Sequence, residues 1–262
     1  MFGFKQKRRQ RIKDKPFPAH WLEIIERNFS YYRQLVPAEQ SELRGHIQVF
    51  LDEKRFEGCG GLQVTDEIRV TIAAQACLLL LNRETGYYPL MTTILVYPHH
   101  YFAPETKRLP DGTVWEETSG REGESWHRGP VVLSWDDVLH DTTDPGAGRN
   151  VVLHEFAHQL DSESGSDEGA PELPQRSMYV AWAQVLGREY EHLLDDLKHH
   201  HPHVIDAYGA ISPAEFFAVV TEAFFVKPVA LKRRHPELYG QLKAFYRQDP
   251  AARALRASEE NS

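Results

Sequence analysis

The segment VVLHEFAHQL, residues 151–160, constrains the fold more than any other part of the chain. Apolar residues surround its two histidines and glutamate, so a helix formed here would bury ionisable groups, and burial without partners is costly. His154 and His158 are four residues apart, which on a helix puts both imidazoles on one face. The segment therefore predicts a buried helix whose histidines bind a metal ion. The alternative is a helix whose histidines face solvent or bond to each other.

The H-E-x-x-H order of these residues is typical of sites in which a zinc ion activates a water molecule. Two neutral imidazoles hold Zn²⁺, and the glutamate accepts a proton from the water that the ion binds. Zinc lowers the pKa of that water to about 7, so a modest base is sufficient. We predict His154 and His158 as ligands and Glu155 as the general base. A zinc enzyme also needs a third protein ligand and an open coordination position.

Acidic residues at several positions compete for the role of third ligand. Asp161 follows the motif closely and could support a histidine by accepting its second N–H. Glu215 and Glu222 are seven apart in SPAEFFAVVTEAFF, so on a helix they share one face. Glu215 has a structural explanation as well, because SPAE matches a capping box with proline at the first helical position. Spacing alone does not choose between the two glutamates.

The composition excludes several classes of protein. The formal net charge of −8 is spread along the chain apart from a basic start, KQKRRQRIKDK, so no extended nucleic-acid surface is indicated. Cys59 and Cys77 are its two cysteines, which favours a reducing compartment. No secretory signal opens the chain, and its most apolar stretch, IAAQACLLLL, has about half the length that a bilayer requires. We expect a cytoplasmic protein without direct nucleic-acid or membrane partners.

Periodicity along the chain predicts an α+β fold, mostly helical with a small central mixed sheet. Helical patterns occupy the first third, including TDEIRVTIAAQACLLLLN, a buried helix capped by Thr65 or Asp66. The strand candidates are PLMTTILVYPHHYF and GPVVLSWDDVL, with a polar hairpin or mobile loop between them. GPVVLSWDDVL is either an interior strand or the edge strand along which an extended peptide could lie.

The length of the chain and the distribution of charge along it predict its domain organisation. Residues 1–15 are expected to form a flexible basic N-terminus. Residues 16–250 are expected to form a single domain, with a helical part over about 16–90 and a catalytic part over about 91–250. Residues 251–262 are expected to form a flexible C-terminal tail.

Several motifs together resemble a known family. HEFAHQLD, DAYGAISPAEFFAVVTEAFF and PELYGQLKAFYRQDP, with GPVVLSWDDVL upstream, closely resemble the Mlc titration factor A (anti-repressor) family of bacterial zinc metallopeptidases. The likeness runs from about Phe17 to Pro250. That family in turn resembles the catalytic domain of anthrax lethal factor, a zincin of the gluzincin type. The resemblance implies a zincin-like fold that binds one Zn²⁺ ion.

The resemblance also implies roles for individual residues. Glu215 corresponds to the glutamate ligand of the E-F-F-A segment, and Tyr208, seven residues earlier, to a tyrosine that stabilises the oxyanion. A surface position in a turn is the other explanation for Tyr208. Lethal factor carries a second glutamate four residues after its ligand, where Val219 stands here. Support for a histidine is therefore expected from Asp161 or Glu222.

At the level of function, the resemblance implies aminopeptidase-like hydrolysis of peptides. It further implies binding of Mlc, a glucose-responsive transcriptional repressor, as a partner. The alternative is a non-catalytic protein that sequesters a regulator and has an auxiliary zinc site. A purely structural metal site would differ from both, because it would have four protein ligands and no open position.

Overall fold

A computed structural model of the protein describes residues 2–99, 101–108, 114–121, 123–125, 129–143, 148–165 and 168–260. The helices are α1 (Phe2–Lys13), α2 (Ala19–Asn28), α3 (Pro37–Glu53), α4 (Asp66–Leu78), α5 (Trp135–Thr143), α6 (Val151–Ser162), α7 (Met178–Lys198), α8 (Pro213–Val226), α9 (Pro228–Arg234), α10 (Pro236–Tyr246) and α11 (Pro250–Glu260). The strands are β1 (Arg55–Gly58), β2 (Thr93–Tyr97), β3 (Tyr101–Arg108), β4 (Val114–Arg121), β5 (Gly123–Ser125) and β6 (Val131–Ser134). Short 3-10 helices span Ser30–Gln34 and Ala207–Ala210. Helices dominate, so the α+β prediction is confirmed.

A small mixed sheet has the strand order β1-β2-β6-β5. The strands β1, β2 and β6 are parallel, and β5 runs antiparallel to β6. Because β6 pairs on both sides, GPVVLSWDDVL supplies an interior strand, which was one of its two predicted positions, and β1 and β5 have the outer positions among the described strands. The helix α5 begins at Trp135, so the second half of that segment is helical.

The polar segment after β2 forms an antiparallel hairpin of β3 and β4, in register from Tyr101 opposite Arg121 to Arg108 opposite Val114. The hairpin prediction is therefore confirmed. Its Pro-Asp-Gly turn lies outside the described residues.

The helix α4 lies at the centre of the hydrophobic core, in contact with α2, α3 and α6. Thr65 caps it by accepting a hydrogen bond from the backbone N–H of Ile68. Nearly all its side chains are buried, and Cys77 is fully so. The prediction of a central buried helix capped at this position is confirmed. None of the helices in the described ranges is long and apolar enough to span a bilayer.

Both chain ends differ from the prediction, because each forms a helix that contacts the rest of the fold. Arg9 of α1 donates two hydrogen bonds of 2.8 Å to the carboxylate of Glu53 at the end of α3. Arg253 of α11 is buried and pairs with Glu39 of α3. Both ends are thus helical where the sequence predicts flexible segments, and charged residues that were expected to be solvated have partners far away in the sequence.

Candidate metal centre

The helix α6 carries the central motif and begins at a well-formed cap. The Asn150 side chain accepts a 2.8 Å hydrogen bond from the backbone N–H of Leu153. The apolar residues of the motif are buried, and the helix packs against α8. His154 and His158 share one face, as their spacing predicted.

Side chains from three other elements hold the start of α6. The backbone N–H of Asn150 donates to Glu222 of α8, and its side-chain amide donates to Gln75 of α4. The next backbone N–H, that of Val151, donates to Asp141 of α5 over 2.7 Å. The two carboxylates lie at the N-terminal end of α6, where they accept from backbone N–H groups that have no partner within the helix. The orientation of α6 is thus fixed by Glu222, which the sequence had already connected with the motif, and by Gln75 and Asp141, which it had not.

The helix α8 supplies an acidic residue to the same point. Ser212 caps the helix by accepting a 3.2 Å hydrogen bond from the backbone N–H of Glu215. That interaction is one half of the capping box that SPAE suggests. The Glu215 carboxylate instead lies 3.0 Å from Nε2 of His154 and 3.3 Å from Nε2 of His158.

The three ligand atoms form a compact triangle. The Nε2 atoms of His154 and His158 are 3.2 Å apart, and Oε2 of Glu215 completes the group. Ligands on a tetrahedral ion with bonds of about 2.0–2.1 Å are about 3.3 Å apart, so the triangle has the size that such an ion requires. In the described part of the chain this group contains three ligand residues, which is the number that leaves one tetrahedral position open.

Glu215 is ionised in this arrangement. Burial opposes its charge, but hydrogen bonds from both histidines lower its pKa to about 2. For His154, burial likewise opposes the charge, yet hydrogen bonds to Glu215 and Glu222 raise its pKa well above the usual value. A bound cation would take over the charge compensation that the imidazolium otherwise supplies.

Glu222 lies behind His154. Its Oε1 atom is 2.8 Å from Nδ1 of His154, on the side of the ring opposite Glu215. An acceptor at Nδ1 leaves the Nε2 lone pair available for a metal, which is how carboxylates support ligand histidines. The Asp161 carboxylate accepts the backbone N–H of Gly169 over 2.8 Å. Of the two candidates for histidine support, Glu222 is therefore the one that the structure favours.

Glu155 is almost completely buried, with 3% of its surface exposed. Burial raises its pKa to about 7. Its Oε2 atom has no hydrogen-bonding partner among the described residues. A buried carboxylate with an unused acceptor next to the ligand histidines fits a base that works close to neutral pH.

Tyr208 lies beside the triangle, in the 3-10 helix Ala207–Ala210. Its ring centroid is 5.8 Å from that of His154, and 43% of its surface is exposed. Asp206 caps this turn by accepting a 2.9 Å hydrogen bond from the backbone N–H of Tyr208. The phenol therefore stands at the solvent-facing side of the histidines. The outer strand β5 also contacts α6, the helix that carries both histidines.

Helices that bring two imidazoles and a carboxylate to one point, beside a buried glutamate, define a metal-dependent hydrolase. Comparison with known proteins narrows this class. The chain belongs to the glucose-regulated metallo-peptidase M90 family, whose family model matches residues 4–247. At this level the protein is a metallopeptidase.

Curated relatives are similar over most of the chain. An uncharacterised protein of Synechocystis sp. is 42% identical over 245 residues, which is 93% of this chain and 89% of the relative. Mlc titration factor A of Serratia proteamaculans is 35% identical over 87% of this chain and 88% of its own. The protein of that name from Yersinia pestis is 33% identical over 91% of this chain and 87% of its own.

Proposed function

We propose that the protein is a zinc-dependent metallopeptidase of the gluzincin type with a zincin-like fold. The observation that carries this proposal is the triangle of Nε2, Nε2 and Oε2 atoms, 3.0–3.3 Å apart, formed by His154, His158 and Glu215. Two imidazoles and one carboxylate suit Zn²⁺, and the separation of the atoms matches its tetrahedral bond lengths. When bound, zinc supplies Lewis acidity, which acidifies a water molecule and polarises a carbonyl group.

The neighbouring residues have complementary roles in this proposal. Glu155 accepts the proton of the attacking water and later passes it to the departing amine, for which a pKa of about 7 is suitable. Tyr208 donates a hydrogen bond to the oxygen on which negative charge develops in the transition state. Glu222 accepts a hydrogen bond from Nδ1 of His154, which keeps the ring hydrogen on Nδ1 and leaves Nε2 free to bind the metal.

The substrate class in this proposal is peptides, and the cleavage is aminopeptidase-like. The family supports the first part at the coarse level of a metallopeptidase. The outer strand β5, which contacts α6, supports it as well, since an extended peptide can add to an exposed sheet edge through main-chain hydrogen bonds. The aminopeptidase preference is supported by the family resemblance of the sequence motifs alone. A reducing cytoplasmic setting is supported by the unpaired state of Cys59 and Cys77.

The proposal is tested by incubating the purified protein with a peptide library and identifying products by mass spectrometry. We expect cleavage that a chelator abolishes and added zinc restores, with free N-terminal residues released first. Glu155→Gln should bind zinc as the wild type does and lack hydrolysis, since an amide cannot accept the proton. Absence of chelator-sensitive cleavage across the library would contradict the enzymatic proposal.

A second function is favoured by the relatives from Serratia proteamaculans and Yersinia pestis, which carry the name Mlc titration factor A and match nearly the whole chain. We propose that this protein also binds a transcriptional repressor of the Mlc kind and thereby sequesters it. If sequestration is stoichiometric, Glu155→Gln should bind purified repressor with unchanged affinity and release its operator DNA equally well. Release of the DNA by the wild type alone would instead show that repressor control requires hydrolysis.

A further inference from the structure

The structure brings three helices together at the backbone of a single glycine. Gly169 lies between α6 and α7, and its N–H donates to Asp161, a fully buried carboxylate on the last turn of α6. Its carbonyl accepts a 3.0 Å hydrogen bond from the indole N–H of Trp182 on α7. The helix α8 approaches from the third side, because Pro213 contacts the same glycine. We refer to Asp161, Gly169, Trp182 and Pro213 as the glycine junction.

The approach of α8 is possible only because residue 169 has no side chain. A Cβ atom on Gly169 would lie 2.4 Å from the carbonyl oxygen of Pro213 and 3.0 Å from its carbonyl carbon. Cβ atoms do not approach backbone this closely, so the first turn of α8 would have to move. The φ angle of Gly169 is +74°, a conformation that also disfavours any residue with a side chain.

Two of the three helices that meet at the glycine junction, α6 and α8, carry the ligand group. Asp161 follows His158 by three residues on α6, and Pro213 precedes Glu215 by two on α8. Trp182 extends the contact by packing against Phe217, at a ring-centroid distance of 5.8 Å. A displacement of Pro213 would therefore be transmitted directly to the carboxylate that completes the triangle.

We propose that Asp161 and Gly169 are positioning residues that set the distance between Glu215 and the two histidines. Asp161 thus serves the metal site from the opposite end of α6 to Glu222, and through backbone rather than through an imidazole. This inference rests on the proposed metal site, but concerns metal affinity alone and holds whichever substrate the protein cleaves.

Gly165 offers a matched control for a substitution at Gly169. It lies in the same connection and also has a positive φ angle, +86°, but a Cβ atom there would meet none of the described residues within 4 Å. Gly165→Ala and Gly169→Ala therefore share the backbone strain, whereas only the second pushes against Pro213. Stability of the metal-free proteins, measured in chelator, should fall in both variants.

The decisive readout is the dissociation constant for zinc, measured by competition with a chromophoric chelator. We expect Gly169→Ala to weaken zinc binding roughly tenfold and Gly165→Ala to leave it unchanged. The visible spectrum of the cobalt-substituted protein should change only for Gly169→Ala. The inference would be overturned if both variants bound zinc as tightly as the wild type, or if both lost the same amount of zinc affinity.

A second pair of variants keeps the inference testable if Gly169→Ala does not fold. Trp182→Phe removes the hydrogen bond to Gly169 and retains an aromatic ring, so a loss of roughly two- to tenfold in zinc affinity is expected. Trp21→Phe is its control, because that indole N–H donates to Asp66 on α4 instead. No difference between the two would refute the positioning role. A wild type that binds zinc but cleaves no peptide would contradict only the proposed function, whereas one that binds no zinc would contradict both.

Discussion

Glu222 and His154 form a hydrogen bond of 2.8 Å that joins α8 to α6, the helix that carries the two candidate histidine ligands. The other carboxylate oxygen of Glu222 accepts the backbone N–H of Asn150, the N-cap of the same helix. One carboxylate thus holds both the imidazole ring and the beginning of the helix that carries it.

Substitution Glu222→Gln should therefore weaken metal binding. A glutamine can accept from either His154 or Asn150 with its one oxygen, but its amide group then faces the other donor. We expect the zinc affinity to fall roughly tenfold or more, as for other residues that orient a ligand histidine. Zinc competition titration measures this directly.

Glu189 provides the matched control for this experiment. It is also a buried glutamate that bonds to Nδ1 of a histidine, His235, over 2.7 Å. Glu189→Gln should lower the free energy of unfolding but leave the zinc affinity unchanged. A fall in affinity of similar size in both variants would show that Glu222 acts only through general stability.

Substitution Tyr208→Phe should reduce kcat roughly a hundredfold, because a hydrogen-bond donor to the developing oxyanion is lost. KM and the zinc affinity should change little, since the phenol acts on charge that is absent from the bound substrate. Tyr31→Phe is a suitable control, because that hydroxyl contacts Arg253. Steady-state kinetics on a cleaved peptide distinguish the two, and an unchanged kcat for Tyr208→Phe would exclude the proposed role.

Glu163, at the end of α6, should make the stability of the protein depend on pH. Burial raises its pKa to about 7, partly offset by Arg83, and its Oε1 atom has no hydrogen-bonding partner among the described residues. The folded protein therefore retains a proton that the unfolded chain has already released, so stability is greatest below the unfolded pKa of Glu163 and falls as pH rises to about 7.

Glu163→Gln should remove this dependence. Above pH 7 the variant should be more stable than the wild type by about 1 to 2 kcal/mol, after allowance for solvent screening. Below pH 4.5 the difference should vanish, because Glu163 is protonated in both states there. Urea unfolding of the metal-free proteins at the two pH values measures this. A difference that is the same at both values would exclude Glu163 as its source.

Arg253→Ala should destabilise the fold by about 3 kcal/mol, because it removes the positive charge that pairs with Glu39 at a largely buried position. Arg253 also donates to Gln248 over 2.9 Å, so α11 would lose its main polar anchor. Arg256→Ala, at an exposed position on the same helix, should have little effect. Thermal unfolding compares the two, and equal melting temperatures would contradict a stabilising role for the C-terminal helix.

The helix α6 could be predicted because its information is local. Asn150 is a favourable N-cap, the apolar residues follow the helical period, and the four-residue spacing puts two histidines on one face. The information that distinguishes Glu215 from Glu222 as the candidate ligand is not local. Both lie on one face of α8, and the packing of α8 on α6 directs the first to Nε2 and the second to Nδ1 of the same ring.

Two features of the structure that the sequence did not specify share a physical cause. Asp161 is close to the two histidines in the sequence, which suggested that it supports one of them. In the structure it lies on the last turn of α6 and accepts the backbone N–H of Gly169. The terminal segments seemed flexible because their charges had no local partners, whereas Glu53 and Glu39 supply those partners across the core. Long-range ion pairs leave no periodic signal in a sequence, and neither does the backbone contact at Gly169.

The central claim is that one zinc ion binds between His154, His158 and Glu215. The most direct test is an anomalous difference map, recorded at the zinc edge from crystals of the protein grown with zinc. We predict one dominant peak per chain, at about 2.0–2.2 Å from the Nε2 atoms of both histidines and from the Glu215 carboxylate. A peak held by other residues, or no peak at this triangle in zinc-containing crystals, would contradict the account.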